Sequence, residues 1–192
     1  MVKETLYDIW IRRSPKWEIR FEESLLRTYT DYGIGASEHT EAKGKTFGSG
    51  YELYIYAFFL GLYADEKRPL GDKTKDFGHL IQFWGNVGNK KGRKDYSKIR
   101  EYIFTALVAK TDKLDLLALE KGDITEKVVV DLLIDTMEQY ANYGFYLIAD
   151  KIKDNPNYFY TNRGFLNMIL DLVKPAEKDE EEIEEIEEIE EL

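Results

Sequence analysis

The stretch from Tyr51 to Ala64, YELYIYAFFLGLYA, constrains the fold most, because twelve of its fourteen residues are apolar. Its tyrosines, isoleucine and phenylalanines favour strands, but the stretch is longer than the roughly four to eight residues of an ordinary strand. Ser49 stands three residues before Glu52, which is the spacing of a capping box at a helix N-terminus. We therefore predict a buried helix that forms the centre of the core.

The rest of the composition argues against a membrane protein and against thiol chemistry. A membrane-spanning helix needs about twenty apolar residues, whereas four charged residues, 65–68, follow the core stretch directly. The N-terminal sequence MVKETLYDIWIRR has no apolar run of signal-peptide length. Because the chain has no cysteine, disulfides, thiolate zinc sites and thiol nucleophiles are excluded. We expect a cytoplasmic protein with no membrane association, no metal site and no cofactor.

Helical patterns predict most of the remaining fold. Ser14 and Pro15 are typical of a helix start, and we predict a helix from there to about Tyr29. The apolar residues of this helix recur every four positions: Trp17, Phe21, Leu25 and Tyr29. Residues 72–76 after the core helix are assigned to polar surface.

The second half of the chain is predicted to be helical throughout. One helix begins near Tyr96, Gly122 is a plausible C-terminal cap, and Thr125 caps the next helix. Gly144 indicates either a break in that helix or a close contact with another one. The last helix ends before Pro175, and its packed residues are predicted to be Phe165, Leu166, Ile169, Leu170 and Val173. The fold class is therefore all-α, a single compact bundle of about six or seven helices over residues 1–175.

The net charge of −10 comes from the C-terminal end of the chain. Residues 176–192 hold eleven of the 37 acidic residues and one of the 27 basic ones, which leaves 26 of each in the body. This tail repeats isoleucine every three residues, a period that does not form one apolar seam on a helix, and its glutamates repel one another. We predict that the tail is disordered and that it can dock on a partner or compete for a basic surface.

One basic cluster stands out against the neutral body. Residues 88–100 carry a local charge of +5, from Asp95 and six basic residues: Lys90, Lys91, Arg93, Lys94, Lys98 and Arg100. Gly88 and Gly92 would let the backbone approach a phosphate. Two interpretations stay open, a solvated surface loop and a contact with the phosphate backbone of duplex DNA.

The glycine-rich residues 31–50 form the longest stretch without a periodic pattern. Gly44-Lys45-Thr46 invites comparison with a phosphate-binding P-loop, but His39 occupies the position of the first glycine and no apolar strand precedes the segment. We therefore interpret these residues as a connector before the core helix.

Two segments carry a resemblance to a known family. Residues 47–70, FGSGYELYIYAFFLGLYADEKRPL, and residues 137–144, MEQYANYG, resemble small helical accessory proteins encoded with bacterial DNA phosphorothioation modules, including Dnd system-associated protein 4. The segments cover about a sixth of the chain, and the long loop and the acidic tail depart from the family pattern. The resemblance carries over no catalytic residue. It implies a noncatalytic component of a bacterial DNA-modification or phage-defence system, acting with a protein partner.

Three functions follow as alternatives from the sequence. The first is an accessory module that binds the DNA backbone or a DNA-acting partner, and the second is a protein-only helical adaptor. The third is an enzyme with an unrecognised carboxylate site, for which two distant residues such as Glu18 and Asp135 would have to meet in one cleft.

Overall fold

The computed structural model describes residues 4–30, 46–85, 95–161 and 163–173. Within these ranges helices are the main secondary structure and the only strands are two of three residues each, which confirms the all-α prediction. Most of the glycine-rich stretch, most of the basic cluster and the acidic tail lie outside the described residues. No helix in the described part of the chain combines the length and the apolar character that a bilayer crossing requires.

The elements follow one another in a simple order. The described ranges contain α1 (Leu6–Trp10), β1 (Lys16–Glu18), α2 (Arg27–Tyr29), α3 (Gly50–Ala64), β2 (Thr74–Asp76), α4 (Ser97–Lys110), α5 (Leu116–Lys121), α6 (Glu126–Asp154) and α7 (Gly164–Val173). A π-helical turn precedes α2, and short 3-10 turns precede α4 and α7.

Helix α3 is the predicted core helix and lies at the centre of the protein. Phe58 and Leu60 have no exposed surface, as expected for a helix that is apolar on nearly all sides. Ser49 is the N-cap residue, but its side chain makes no capping hydrogen bond. In the predicted capping box Glu52 would accept the backbone N–H of Ser49. Its Oε2 instead accepts the backbone N–H of the preceding residue, Gly48, at 2.7 Å.

Helices α3 and α6 cross in backbone contact, and a glycine from each helix makes this contact possible. A Cβ atom on Gly61 would lie 2.1 Å from the carbonyl oxygen of Tyr140, and one on Gly144 would lie 1.8 Å from the carbonyl oxygen of Ala57. The two contacts are one helical turn apart on each helix. Gly144 therefore marks a close helix contact, and α6 continues through it without a break.

The predicted helix from Pro15 to Tyr29 is wrong over its first part. Residues 16–18 form β1, which pairs antiparallel with β2, so part of the segment assigned to polar surface is a strand, and its side chains remain largely exposed. The partner strand is more than fifty residues away, and a local pattern cannot report such a pairing. The four-residue period is real from Phe21 onward, where the chain forms the π-helical turn (Glu22–Leu26) and then α2.

In the second half of the chain, three predicted helix ends are confirmed and the predicted packed face of one helix is corrected. Helix α4 begins at Ser97, Gly122 ends α5 in a left-handed conformation with φ of 81°, and the Thr125 side chain caps α6 by accepting the N–H of Val128. The predicted packed face of α7 is wrong at two positions. Met168 is buried, whereas the side chains at Leu166 and Leu170 are 52% and 46% exposed.

The crossing of α3 and α6 predicts the effect of adding one methyl group. Replacing Gly61 or Gly144 by alanine should destabilise the protein by about 3 kcal/mol or more, because the new Cβ would overlap a carbonyl oxygen of the facing helix. Gly71 is the matched control, since a Cβ there would meet its nearest neighbour, a Glu18 oxygen, at 3.5 Å. Urea denaturation of the three variants measures the difference. Equal stability of G61A, G144A and G71A would contradict the close crossing.

Candidate functional site

The described residues include two of the six predicted basic contacts. Lys90, Lys91, Arg93 and Lys94 lie outside the described residues, so their prediction as phosphate contacts stays a prediction. Lys98 is exposed in the first turn of α4. Arg100 lies two residues further along the same helix, and its side chain is only 13% exposed.

Arg100 fixes the start of α4 to the segment before the basic cluster. Its Nη1 donates to the backbone carbonyl oxygens of Gln82 at 3.1 Å and Trp84 at 2.5 Å. Its Nη2 also lies 3.8 Å from a carboxylate oxygen of Asp95. These contacts occupy the side of the guanidinium that faces the protein, so we do not include Arg100 among the proposed DNA contacts.

The two ends of the segment 86–94 are held together by a structure that we call the neck, formed by Trp84, Gly85, Tyr96 and Arg100. Gly85 has φ of 69°, and a Cβ there would lie 2.2 Å from the Tyr96 ring, so only glycine allows this approach. The Tyr96 hydroxyl and Glu52 Oε1 are 3.0 Å apart in a hydrogen bond, and the Trp84 ring stacks on Tyr51. The neck is therefore fixed to the N-terminal end of α3.

A second polar arrangement lies where β1 crosses α6, and we call it the Glu18 cluster: Glu18, Arg20, Arg68, Asn142 and Tyr146. Glu18 is only 6% exposed. Its Oε1 accepts hydrogen bonds from the Gly71 N–H and from Asn142 Nδ2, both at 2.9 Å, and its Oε2 accepts one from the Tyr146 hydroxyl at 3.0 Å. Three donors thus satisfy a carboxylate that has lost most of its contact with water.

These donors keep Glu18 ionised. Burial opposes ionisation, but the hydrogen bonds from Gly71, Asn142 and Tyr146 and the positive charge of Arg20 outweigh it and hold the pKa of Glu18 below its ordinary value of 4.5. Asn142 Nδ2 also lies within hydrogen-bonding distance of the carbonyl oxygens of Arg68 and Pro69. The cluster therefore connects β1, α6 and the turn after α3.

Glu138, on the same face of α6 as Asn142, is a second carboxylate at this site, and its pKa is shifted in the opposite direction from that of Glu18. Glu138 lies one turn before Asn142, and its Oε1 accepts the backbone N–H of Lys16 at 2.7 Å. Burial raises the pKa of Glu138, and the hydrogen bond from Lys16 offsets only part of this effect. The ionised form of Glu138 is therefore disfavoured by folding, whereas that of Glu18 is favoured.

Two exposed arginines lie on the outer side of the Glu18 cluster, against the Tyr146 ring. Arg20 Nη1 donates to the Tyr146 hydroxyl at 2.7 Å, and its Cζ lies 5.1 Å from the ring centroid. The Cζ of Arg68 lies 3.4 Å from the same centroid, which is the distance of a stacked guanidinium. The site thus presents two cations above one buried anion.

The structure does not give Glu18 and Asp135 a shared role. Glu18 is engaged by the three donors described above, whereas Asp135 is exposed and accepts a hydrogen bond from Gln139 at 2.7 Å. Across the described ranges, no three histidine, aspartate or glutamate side chains are grouped so that they could hold a metal ion. The geometry of the Glu18 cluster is that of a structural anchor with a basic outer surface.

The sequence analysis missed Arg20, Arg68 and the polar residues of α6. The sequence contains one pattern that indicates a polar helix face. Polar residues recur there at intervals of four, and so share one face of a helix: Glu138, Asn142 and Tyr146. No sequence pattern joins that face to Glu18 or to the two arginines, which come from distant parts of the chain.

Comparison of the chain with protein-family models, with curated proteins and with solved structures finds no match.

The two carboxylates predict opposite effects of removing a charge. Glu18→Gln should destabilise the protein by about 2–3 kcal/mol at pH 7, because the amide loses the charge and directs N–H groups at existing donors. Glu138→Gln is the matched control and should be neutral or stabilising, since an amide oxygen can still accept the Lys16 N–H.

The pH dependence supplies a second check on these variants. A carboxylate with a lowered pKa contributes stability that is present above its ordinary value and is lost as the pH falls through its folded-state pKa. The stability difference between wild type and E18Q should therefore shrink as the pH falls well below 4.5. Thermal unfolding between pH 2 and pH 8 tests this, and a difference that does not change with pH would contradict an ionised Glu18.

Proposed function

We propose that this protein is a noncatalytic, cytoplasmic accessory component of a bacterial DNA-modification or phage-defence system. It binds the phosphate backbone of duplex DNA through the basic residues of segment 88–100 other than Arg100. The family resemblance supports the biological setting, and the neck supports the site.

The neck is the observation that carries this proposal. Arg100 joins α4 to the carbonyls of Gln82 and Trp84, and Tyr96 packs on Gly85, so both ends of segment 86–94 are held at one end of α3. That segment contains Lys90, Lys91, Arg93 and Lys94. Anchored ends reduce the conformational entropy that a segment loses on binding, which favours a role as a contact surface.

The charge distribution favours an electrostatic interaction at this position. The body is neutral overall, so it neither attracts nor repels DNA strongly as a whole. Phosphate contacts by lysine and arginine are independent of base sequence and release counterions. The function would therefore be backbone binding without sequence recognition, with specificity supplied by a partner protein.

A protein-only adaptor is the second candidate, and exposed leucines favour it. Leu116 and Leu117 on α5 and Leu166 and Leu170 on α7 are each about half exposed. Exposed apolar side chains are common on monomers, however, so these four residues alone do not define an interface. DNA binding separates the two candidates, because an adaptor would show none.

Four phosphate contacts predict a steep dependence of binding on salt. With about 0.9 counterion released per contact, these four contacts alone should lower the affinity for a duplex roughly 150-fold between about 50 and 200 mM salt. Reversing the charge of all four residues, as K90E/K91E/R93E/K94E, should abolish binding. The matched control reverses four exposed lysines on other elements: Lys113, Lys121, Lys127 and Lys153. Fluorescence anisotropy with a labelled duplex measures each affinity, and equal losses in the two variants would contradict a site at segment 88–100.

The acidic tail should compete with DNA for the same surface. Deletion of residues 177–192 removes eleven acidic groups, so the truncated protein should bind duplex DNA more tightly than the full chain at low salt. The difference should close as salt increases, because screening weakens the competition. Absence of measurable binding by the truncated protein at low salt would leave the protein-only adaptor as the better account.

A further inference from the structure

A pair of arginines outside the basic cluster has the geometry of an anion contact. Arg20 and Arg68 are both exposed, and both lie against the ring of Tyr146. Arg20 comes just after β1, and Arg68 comes from the turn after α3. The fold therefore brings two guanidinium groups from distant parts of the chain to one aromatic ring.

Among the described residues, neither guanidinium has an ion pair of the kind that neutralises other arginines there. Arg12 pairs with Glu4, Arg13 with Asp131, and Arg27 with both Glu22 and Glu23. Over the ranges that the structure describes, no carboxylate lies within ion-pair distance of Arg20 or Arg68. Glu18 is the anion beneath them, and its oxygens are already occupied by Gly71, Asn142 and Tyr146.

Stacking leaves the donors of Arg68 available to a ligand. The N–H groups of a guanidinium lie in its plane, so a guanidinium that lies over a ring directs them outward from the ring edge. Arg20 uses one nitrogen, Nη1, for the Tyr146 hydroxyl, and its other N–H groups remain. Two planar forks at one place match the oxygens of a phosphate better than single lysine charges do.

The platform under the two arginines is fixed. The Tyr146 hydroxyl donates to buried Glu18, and the Phe21 ring packs edge-on against the Tyr146 ring with centroids 5.1 Å apart. The backbone N–H of Arg68 donates to the carbonyl oxygen of Gln139 at 3.1 Å, which ties the turn after α3 to α6. Ordering costs on binding are therefore confined to the ends of two side chains.

We infer that Arg20 and Arg68, held on Tyr146, form a second phosphate contact for a nucleic-acid backbone. This inference rests on the proposed function, because it takes the same ligand. The Tyr146 ring under the arginine pair belongs to the part of α6 that lies beside the middle of α3, because Gly144 faces the Ala57 carbonyl and the Phe145 ring packs on Tyr54. The neck contacts Tyr51 and Glu52 at the N-terminal end of the same helix. The two positions are therefore about one to two helical turns apart along α3.

Replacing both arginines by glutamine tests the inference. Removal of two phosphate contacts should reduce the slope of log affinity against log salt by about 1.8. It should also weaken binding at least about tenfold at low salt. The control variant R12Q/R27Q removes the same formal charge from arginines that are already paired with carboxylates, and it should change the slope by less than about 0.5.

Two further measurements separate a phosphate contact from a structural role. The variant R20K/R68K keeps both charges but loses the planar forks, so it should keep most of the wild-type salt slope and bind with an intermediate affinity. Wild-type affinity should rise as the duplex is lengthened until it spans both contacts, and R20Q/R68Q should lose this rise. Melting temperatures of all variants report whether the fold is intact.

The outcomes distinguish this inference from the proposed function. Wild-type binding that requires Lys90, Lys91, Arg93 and Lys94 but is unchanged in R20Q/R68Q would overturn the second contact alone. Absence of duplex binding by the wild type and by the tail-deleted protein would overturn both. Binding of a labelled glutamate-rich peptide that requires Arg20 and Arg68, with no effect of either residue on DNA, would assign the pair to a carboxylate partner and overturn the phosphate contact.

Discussion

The contact between the backbones of α3 and α6 is the constraint on which the rest of the structure depends. Gly61 and Gly144 each face a carbonyl group of the opposite helix, so the two helices approach more closely than any larger residue would allow. This crossing sets the position of α6 relative to the end of α3. Asn142 and the turn at Arg68–Pro69 then meet within hydrogen-bonding distance, and β1 closes over them with Glu18.

Two carboxylates lie at the junction of β1 and α6, and their pKa values are shifted in opposite directions. Glu18 receives three hydrogen bonds and a nearby positive charge, whereas Glu138 receives one backbone N–H and remains in a poorly hydrated place. Folding therefore stabilises the ionised form of the first and disfavours that of the second. The ordered Glu18 carboxylate in turn positions Tyr146, which supports Arg20 and Arg68.

Much of the helical framework could be predicted from the sequence, because local signals report local structure. The apolar run at 51–64, the cap at Thr125 and the glycine at 122 all act within a few residues of their own positions. The strand pairing of Lys16–Glu18 with Thr74–Asp76 could not be predicted, since the two segments have no short-range pattern and stabilise each other only in the folded chain. The predicted helix at 15–29 failed for that reason.

The proposed DNA contacts also differ in whether the sequence alone could identify them. The basic cluster at 88–100 is contiguous in sequence and could be found there, although the inward position of Arg100 could not, because it depends on the carbonyls of Gln82 and Trp84. Arg20 and Arg68 are ordinary surface arginines in the sequence. Only the fold places them together on one tyrosine ring, and periodicity or composition carries no sign of that arrangement.

Hydrogen–deuterium exchange of the full chain, with and without a duplex of about twenty base pairs at low salt, tests the central claim most directly. The account predicts that DNA slows exchange at the N-terminal end of α3, in segment 86–94 and at residues 66–71, and leaves α5 unchanged. Slower exchange confined to α5 or α7, or no change anywhere at a DNA concentration that saturates binding by anisotropy, would contradict it.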